Sequence, residues 1–127
     1  MELIAMAEDD LEALDNIAKL VARFNQKWWH DLETGKPLDR NIGEMLMLVT
    51  SELAEAMEGH RKNLMDDKLK HRKMFDVELV DAFIRLFDIV GHLVPDFSTI
   101  FEEKMIYNSQ RFDHTIEGRK QVDGKKY

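Results

Sequence analysis

The sequence predicts an all-α protein organised as a four-helix bundle. Apolar residues recur at helical spacing in four separate stretches of the 127-residue chain. Only two prolines and six glycines are present, and most of them fall outside these stretches, which favours long helices over a multi-stranded sheet. Hydrophobic residues make up 44% of the chain and charged residues 34%, a composition typical of a globular protein. A chain of this length can enclose one hydrophobic core.

The first two helices are predicted on either side of a connector. Residues 9–29 carry one apolar stripe at helical spacing. Residues 31–39 include a glycine and a proline, which are typical of a connector. The second helix is predicted over residues 40–62, with Asp39 as its N-cap. The stripe of the first helix consists of Leu11, Leu14, Ile17, Ala18, Val21, Phe24 and Trp28.

The last two helices follow a polar, basic segment. The third helix is predicted over residues 76–92, with Asp76 as its N-cap. Gly91 and Pro95 are expected to end it. The fourth helix is predicted over residues 98–112.

The domain organisation predicted from this pattern is simple. Residues 1–112 are expected to form a single all-α domain. Residues 113–127 are polar, and we expect them to form a loose tail. A compact monomer of this size leaves apolar helix faces uncovered, so completion of the bundle as a homodimer or homotetramer is expected.

Composition and charge exclude several classes of function. The formal net charge is −7, which argues against non-specific binding to nucleic acid backbones. The chain has no cysteine, which excludes disulfides, thiolate metal sites and a cysteine nucleophile. No apolar run approaches the length needed to span a bilayer, so no membrane partner is expected. The first ten residues lack the basic start and apolar core of a signal peptide, and a cytoplasmic location is expected.

Two acid pairs interrupt the apolar pattern of the second and third helices. They are Glu52 with Glu55 and Glu78 with Asp81. Residues three apart on a helix lie about 60° apart around its axis, so each pair directs two carboxylates to one side. Four carboxylates from two helices suit a hard cation, with Mg²⁺ expected and Mn²⁺ as the alternative. A magnesium cluster of this kind implies a phosphate-bearing substrate.

The third helix has a broad apolar arc, covering about 220° of its circumference. Such a helix is expected to be mostly buried, so its polar wedge is too narrow for a general solvent face. The alternative is a surface stripe held together by ion pairs of Arg85 with Asp81 and Asp88. The polar wedge consists of Glu78, Asp81, Arg85, Asp88 and His92.

The second helix supports a functional interpretation. Glu52 falls on the apolar arc that includes Met45, Val49 and Ala56. A carboxylate directed into a core is costly unless a cation, an arginine or a lysine meets it.

The fourth helix offers hydrogen-bond donors. Lys104, Asn108 and Arg111 have i, i+4, i+7 spacing and share one face. Donors among inward-facing aromatic residues suit an enclosed polyphosphate. The alternative is that Lys104 and Arg111 pair with the carboxylates and bind nothing.

Together these motifs resemble the MazG-like nucleotide pyrophosphohydrolases of the all-α NTP pyrophosphatase superfamily. The hallmark of that superfamily is an E-x-x-E pair followed, after a spacer, by E-x-x-D. Here the pairs read Glu52-Leu-Ala-Glu55 and Glu78-Leu-Val-Asp81. A later K-x-x-x-N-x-x-R element matches Lys104-Met-Ile-Tyr-Asn-Ser-Gln-Arg111. The resemblance covers roughly residues 41–111.

The resemblance implies hydrolysis of an NTP or dNTP to the nucleoside monophosphate and pyrophosphate. It implies that Glu52, Glu55, Glu78 and Asp81 hold Mg²⁺, and that Lys104, Asn108 and Arg111 contact the phosphates with help from Arg85. Glu55 is the acid assigned to relay the proton of the attacking water, although sequence does not separate a metal ligand from a general base. Activity like that of a dUTPase or a phosphoribosyl-ATP pyrophosphatase is a close alternative. A helical interaction module with structural acids is an alternative of another class.

The end of the first helix and the connector form a candidate base pocket under this resemblance. Trp28 is a candidate substrate contact, but it also continues the apolar stripe, which favours core packing. Trp29 lies about 100° further round the helix, where it suits stacking on a base or an oligomer interface. Asn25, Gln26 and His30 are candidate hydrogen-bonding partners for a base.

Overall fold

The computed structural model describes residues 1–127, and it contains helices and turns without a β-strand. The all-α prediction is therefore confirmed. None of the helices combines the length and the apolar character needed to cross a bilayer. The α-helices are α1 (Glu8–Phe24), α2 (Ile42–Lys62), α3 (Met74–Leu93), α4 (Phe97–Gln110) and α5 (Ile116–Arg119).

The chain divides into two compact units. The middle unit contains Ile17–Pro95, and the terminal unit contains Met1–Asn16 together with Asp96–Tyr127. The middle unit carries both acid pairs, and the terminal unit carries the predicted phosphate-binding helix.

The core of the middle unit is built largely from small side chains. α2 and α3 pack along one another more extensively than any other two helices. A Cβ added at Gly59 would lie 2.8 Å from Met74, so the absence of a side chain lets the start of α3 approach α2. The buried apolar residues of this unit are Ala18, Ala22, Met45, Val49, Ala56 and Ala82.

Gly91 has a different role from the one predicted. It lies inside α3, which continues to Leu93, so the prediction that it ends the helix is wrong. A Cβ at Gly91 would lie 2.4 Å from the carbonyl oxygen of Ala18 and 2.6 Å from the Cβ of Ala22. The glycine therefore lets the second half of α1 touch α3.

The helix caps also differ from the predicted ones. Asn41, and not Asp39, caps α2, because its side-chain oxygen accepts a 2.9 Å hydrogen bond from the Glu44 amide. Asp76 lies within the first turn of α3 and does not cap it. Its charge is still favourable there, since a helix N-terminus attracts acids.

The first helix is shorter than predicted, and the connector is well ordered. α1 ends at Phe24, and a 3₁₀ turn over Gln26–Trp28 replaces its predicted last turns. In the connector, a side-chain oxygen of Asp31 accepts hydrogen bonds from the amides of Glu33 and Thr34. Such an Asx turn fixes the chain between the tryptophans and α2.

The loop between α2 and α3 is closed by a latch around Asp66. The Asp66 amide donates to the Arg72 carbonyl at 2.9 Å, and its Oδ2 accepts from the amides of Lys68 (3.0 Å) and Leu69 (2.7 Å). Asp66 is the one buried charged residue, at 6% exposure. Lys68, Lys70 and His71, which are basic residues of this loop, are exposed to solvent.

The apolar arc of α3 is largely uncovered. Val80 is 56% exposed and Phe83 is 59% exposed, while only Ala82 of this helix is buried. The expectation that α3 is mostly buried is therefore wrong for a single chain. Glu78 and Arg85 of the polar wedge meet α2, and much of the apolar arc remains exposed.

The terminal unit is held by polar contacts between its two segments. Ser98 donates to Asp15 at 2.7 Å, and the Met6 amide donates to Glu102 at 2.9 Å. The last residues are more ordered than the expected loose tail, because Thr115 caps the short helix α5. Arg119 then donates to the carbonyl of Lys126 at 2.7 Å.

Candidate metal centre

Three carboxylates converge where α2 faces α3. Glu52, Glu55 and Glu78 each place one oxygen within 4.8 Å of the others. Glu52 and Glu55 lie one turn apart on α2, and Glu78 reaches them from α3. The predicted convergence of acids from these two helices is present in the structure for these three residues.

Glu78 is the central residue of this cluster. Its Oε2 is buried and has no hydrogen-bond partner. Burial, followed by the neighbouring carboxylates of Glu52 and Glu55, raises the pKa of Glu78 to about 8. A shared proton or a bound cation relieves the repulsion between carboxylates this close. The orphaned oxygen and the all-oxygen donor set therefore fit a hard divalent cation.

Asp81 lies beside the cluster and outside its shortest contacts. Burial and the charge of Glu52 raise the pKa of Asp81, while Arg85 opposes that shift. Asp81 also lies in the wall of the adjoining cavity. Asp81, the fourth predicted ligand, therefore lies close enough to the other acids for their charges to affect its pKa.

Arg85 links the two helices. Its Nε donates to Glu52 Oε1 at 2.9 Å, and the Glu52 side chain is only 12% exposed. This ion pair joins α3 to α2, whereas the surface-stripe alternative requires Arg85 to pair with acids of its own helix. Arg85 therefore meets the carboxylate that the sequence places on the apolar arc of α2.

A cavity of about 520 Å³ adjoins the metal centre. Glu52, Asp81 and Arg85 border it, and the other wall residues are Asn25, Trp28, Arg40, Met45, Leu48, Ile84, Asp88 and Ile89. The wall combines apolar side chains with polar and charged ones, and small-molecule sites likewise pair an apolar lining with placed polar groups. Trp28 is 61% exposed, so core packing is the wrong interpretation of this residue.

Asp88 has a fixed orientation in the cavity wall. Trp29 Nε1 donates to Asp88 Oδ1 at 3.0 Å and lies 3.2 Å from Oδ2. The His92 ring stacks on Trp29 with centroids 4.0 Å apart, and its Nδ1 lies 3.1 Å from Asp88 Oδ1. Trp29 is thus engaged by its own chain and is not free to stack on a base.

The predicted phosphate-binding residues lie on or next to α4, in the terminal unit. Arg111 follows the last residue of α4 and forms a two-point ion pair with Asp113, at 2.9 and 2.6 Å. Lys104 lies 4.9 Å from the centre of the Tyr107 ring. Asn108 Oδ1 is buried without a hydrogen-bond partner. Their contact with phosphate stays a prediction.

Sequence reasoning placed Asp88 in the polar wedge of the third helix without selecting it as a site residue, and it did not select Arg40 either. Asp88 was recognisable, because it follows Asp81 by seven residues and therefore lies two turns along the same face of α3. Arg40 gave no such signal, since it precedes α2 at the end of the connector. The structure places it there because its Nη1 donates to the Trp28 carbonyl at 3.0 Å.

The raised pKa of Glu78 predicts a pH-dependent stability of the metal-free protein. Because the folded state favours protonated Glu78, this stability is complete below the unfolded pKa of 4.5 and declines as pH rises towards 8. We expect the free energy of unfolding to fall by about 3 kcal/mol between about pH 5 and pH 8, since each unit of pKa difference is worth about 1.4 kcal/mol. Thermal denaturation in chelator measures it.

Added Mg²⁺ or Mn²⁺ should offset that loss at pH 8, since an ion that binds only the folded state stabilises it. Glu78→Gln should flatten the pH profile. A profile that rises over the same interval, with Glu78 intact, would contradict the assignment.

Comparisons with known proteins identify no relative. No protein-family model matches the chain, and neither a curated protein nor a solved structure has significant similarity to it.

Proposed function

We propose that this chain is a Mg²⁺-dependent pyrophosphohydrolase that converts an NTP or dNTP to the nucleoside monophosphate and pyrophosphate. The observation that carries the proposal is the buried, unpartnered oxygen of Glu78 within a three-carboxylate cluster. The order and spacing of the two acid pairs, which resemble those of MazG-like enzymes, support the same reaction.

The chain's own groups suit distinct tasks in this reaction. Glu52, Glu55 and Glu78 would hold the cation, with Asp81 next to them. Bound Mg²⁺ would supply Lewis-acid polarisation of the phosphoryl group and a lowered pKa for the attacking water. Glu55 is the exposed member of the cluster, so it is the carboxylate best placed to take a proton from that water.

Arg85 and the cavity support a nucleotide as the ligand. Arg85 fixes Glu52 and borders the cavity, where its remaining N–H groups are available to a phosphate oxygen. The cavity adjoins the acids and is lined by Trp28 and aliphatic side chains. A cavity lined by both aromatic and polar side chains, beside a cation site, suits a ligand with a phosphate at one end and a flat ring at the other.

The test is a panel of NTPs and dNTPs, including dUTP, incubated with the protein with and without Mg²⁺. We expect pyrophosphate and a monophosphate only when the metal is present. Orthophosphate as the product would place cleavage at another bond. No product from any nucleotide would refute the proposal and leave the helical interaction module as the better interpretation.

We further infer that the chain assembles as a homodimer or homotetramer. The exposed arc of α3, which includes Val80 and Phe83, supports this, since large apolar patches on helices are typical of interfaces. Light scattering of the purified protein measures its mass. A single 14.9 kDa species at micromolar concentration would contradict assembly.

A further inference from the structure

We propose that Asp88 is a specificity-determining residue that reads an exocyclic amino group on the base of the nucleotide. The inference rests on the proposed function for the position of the phosphates. It concerns the end of the cavity that is remote from the acid cluster.

The spacing along α3 places Asp88 at the distance from Asp81 that suits the base of a nucleotide whose phosphates lie at the acid cluster. Asp81 and Asp88 border the same cavity and lie seven residues apart, which is about 10.5 Å along a helix and nearly the same rotational position. A nucleotide whose phosphates lie at Asp81 and the glutamates therefore extends its sugar and base along this face. Asp88 meets the edge of the base.

The orientation of Asp88 is fixed by groups that leave acceptor capacity free. Oδ1 takes the shorter Trp29 contact (3.0 Å) and the His92 contact (3.1 Å), while Oδ2 has only the longer Trp29 contact (3.2 Å). His92 Nδ1 also lies 2.9 Å from the Asp88 carbonyl oxygen, so this nitrogen faces acceptors and carries the hydrogen. Oδ2 is the atom with an unused lone pair.

A carboxylate oxygen in a cavity wall selects donors. The Asp88 side chain is 13% exposed, and Asp88 lies in the cavity wall. An amino group donates to an acceptor of this kind, whereas a carbonyl oxygen in its place is repelled. Arg40 and Asn25 border the same cavity and supply donors for a neighbouring ring nitrogen or carbonyl oxygen. The ligand class is a base with an amino group beside an acceptor, as in cytosine, guanine or adenine.

Trp28 supplies the second element of recognition. Its exposed ring borders the cavity, and an aromatic face binds any base by stacking. Stacking does not distinguish amino from keto bases, so discrimination falls to Asp88. The Trp29 and His92 rings behind Asp88 hold it in place and do not contact the base.

The experiment measures binding of nucleoside monophosphates by tryptophan fluorescence or calorimetry, in Mg²⁺. CMP with UMP, GMP with IMP, and AMP with IMP are pairs that differ at the amino-bearing position. In at least one pair, we expect the amino member to bind at least about tenfold tighter, since an unpaired buried acceptor is costly. Asp88→Asn should bring that ratio close to one, and Asp76→Asn, on the exposed first turn of α3, should leave it unchanged.

Trp29→Phe keeps an aromatic ring but removes the N–H that orients Asp88, so it should reduce the ratio even if Asp88→Asn does not fold. Equal binding within every pair, tighter binding of the members that lack the amino group, or a ratio unchanged in Asp88→Asn would overturn the proposal. Binding is read without catalysis. Absence of pyrophosphate would therefore refute the proposed function alone, and a lost preference would refute the role of Asp88 alone.

Discussion

Glu78→Gln is expected to abolish pyrophosphate release while making the metal-free protein more stable. Glutamine has nearly the same shape but no charge, so the cluster loses the carboxylate that two neighbours surround. We expect kcat to fall at least about 100-fold, since even residues behind metal ligands cost 10–100-fold. The free energy of unfolding at pH 8 should rise, because the wild-type protein must there either keep a proton on Glu78 that the unfolded chain releases or hold its charge against burial and two like charges.

The opposite signs of the two effects distinguish loss of a metal ligand from loss of the fold. Pyrophosphate release measures the first effect, and thermal denaturation in chelator at pH 8 measures the second. Circular dichroism should show unchanged helical content. A variant that retains full activity would remove Glu78 from the reaction.

Glu58→Gln is the matched control. Glu58 continues the three-residue spacing of Glu52 and Glu55 on α2, but it pairs with Lys62 at 2.5 Å and lies outside the cluster. Lys62 lowers the pKa of Glu58, which is the reverse of the shift at Glu78. We expect near wild-type activity. A comparable loss in both variants would indicate a general effect of charge on α2.

Gly91→Ala is expected to destabilise the middle unit, although alanine is a better helix former than glycine. The new methyl would lie 2.4 Å from the Ala18 carbonyl oxygen, and backbone cannot move aside as a flexible side chain can. Overpacking of this kind should cost about 2 kcal/mol, more than the gain in helix propensity. Denaturant unfolding of the two proteins measures the difference.

Gly43→Ala provides the comparison for Gly91→Ala. Gly43 lies in the first turn of α2, where the nearest atom to an added Cβ is the Asn41 side-chain oxygen at 3.3 Å. That oxygen also caps α2, but a 3.3 Å contact requires it to shift by only a few tenths of an ångström. The stability should therefore change by no more than about 0.5 kcal/mol. If Gly91→Ala and Gly43→Ala changed the free energy of unfolding by the same small amount, the inference that α1 approaches α3 closely at Gly91 would be wrong.

The helices and the shared direction of the two glutamates on α2 were predictable because both depend on periodicity. The same three-residue spacing that places Glu52 and Glu55 on one side of α2 requires no knowledge of tertiary structure. The partner of Glu52 was also expected in kind, since a carboxylate on an apolar arc needs a cation or a basic side chain. Arg85 meets it in the structure.

Features that depend on close approach were not predictable from spacing. Gly91 has the sequence signature of a helix end, but a neighbouring helix decides its role, and α3 continues through it. Trp28 belongs to an apolar stripe, yet it borders a cavity because the chain turns at Asn25 into a 3₁₀ segment. The burial of α3 was overestimated, because the apolar character of a helix shows which surface favours burial and not whether the chain has enough other residues to cover that surface.

Because of the latch around Asp66, the length of the loop between α2 and α3 can change without moving the acid pairs relative to each other. The Asp66 amide donates to the Arg72 carbonyl, and the Asp66 side chain holds the amides of Lys68 and Leu69, so additional residues inserted between Leu69 and Arg72 would extend into solvent. One residue inserted in α2 between Glu55 and Asn63 would instead turn both glutamates by about 100° away from Glu78. Insertions in this part of the basic loop are therefore compatible with the acid cluster, whereas a change in the length of the neighbouring helical segment is not.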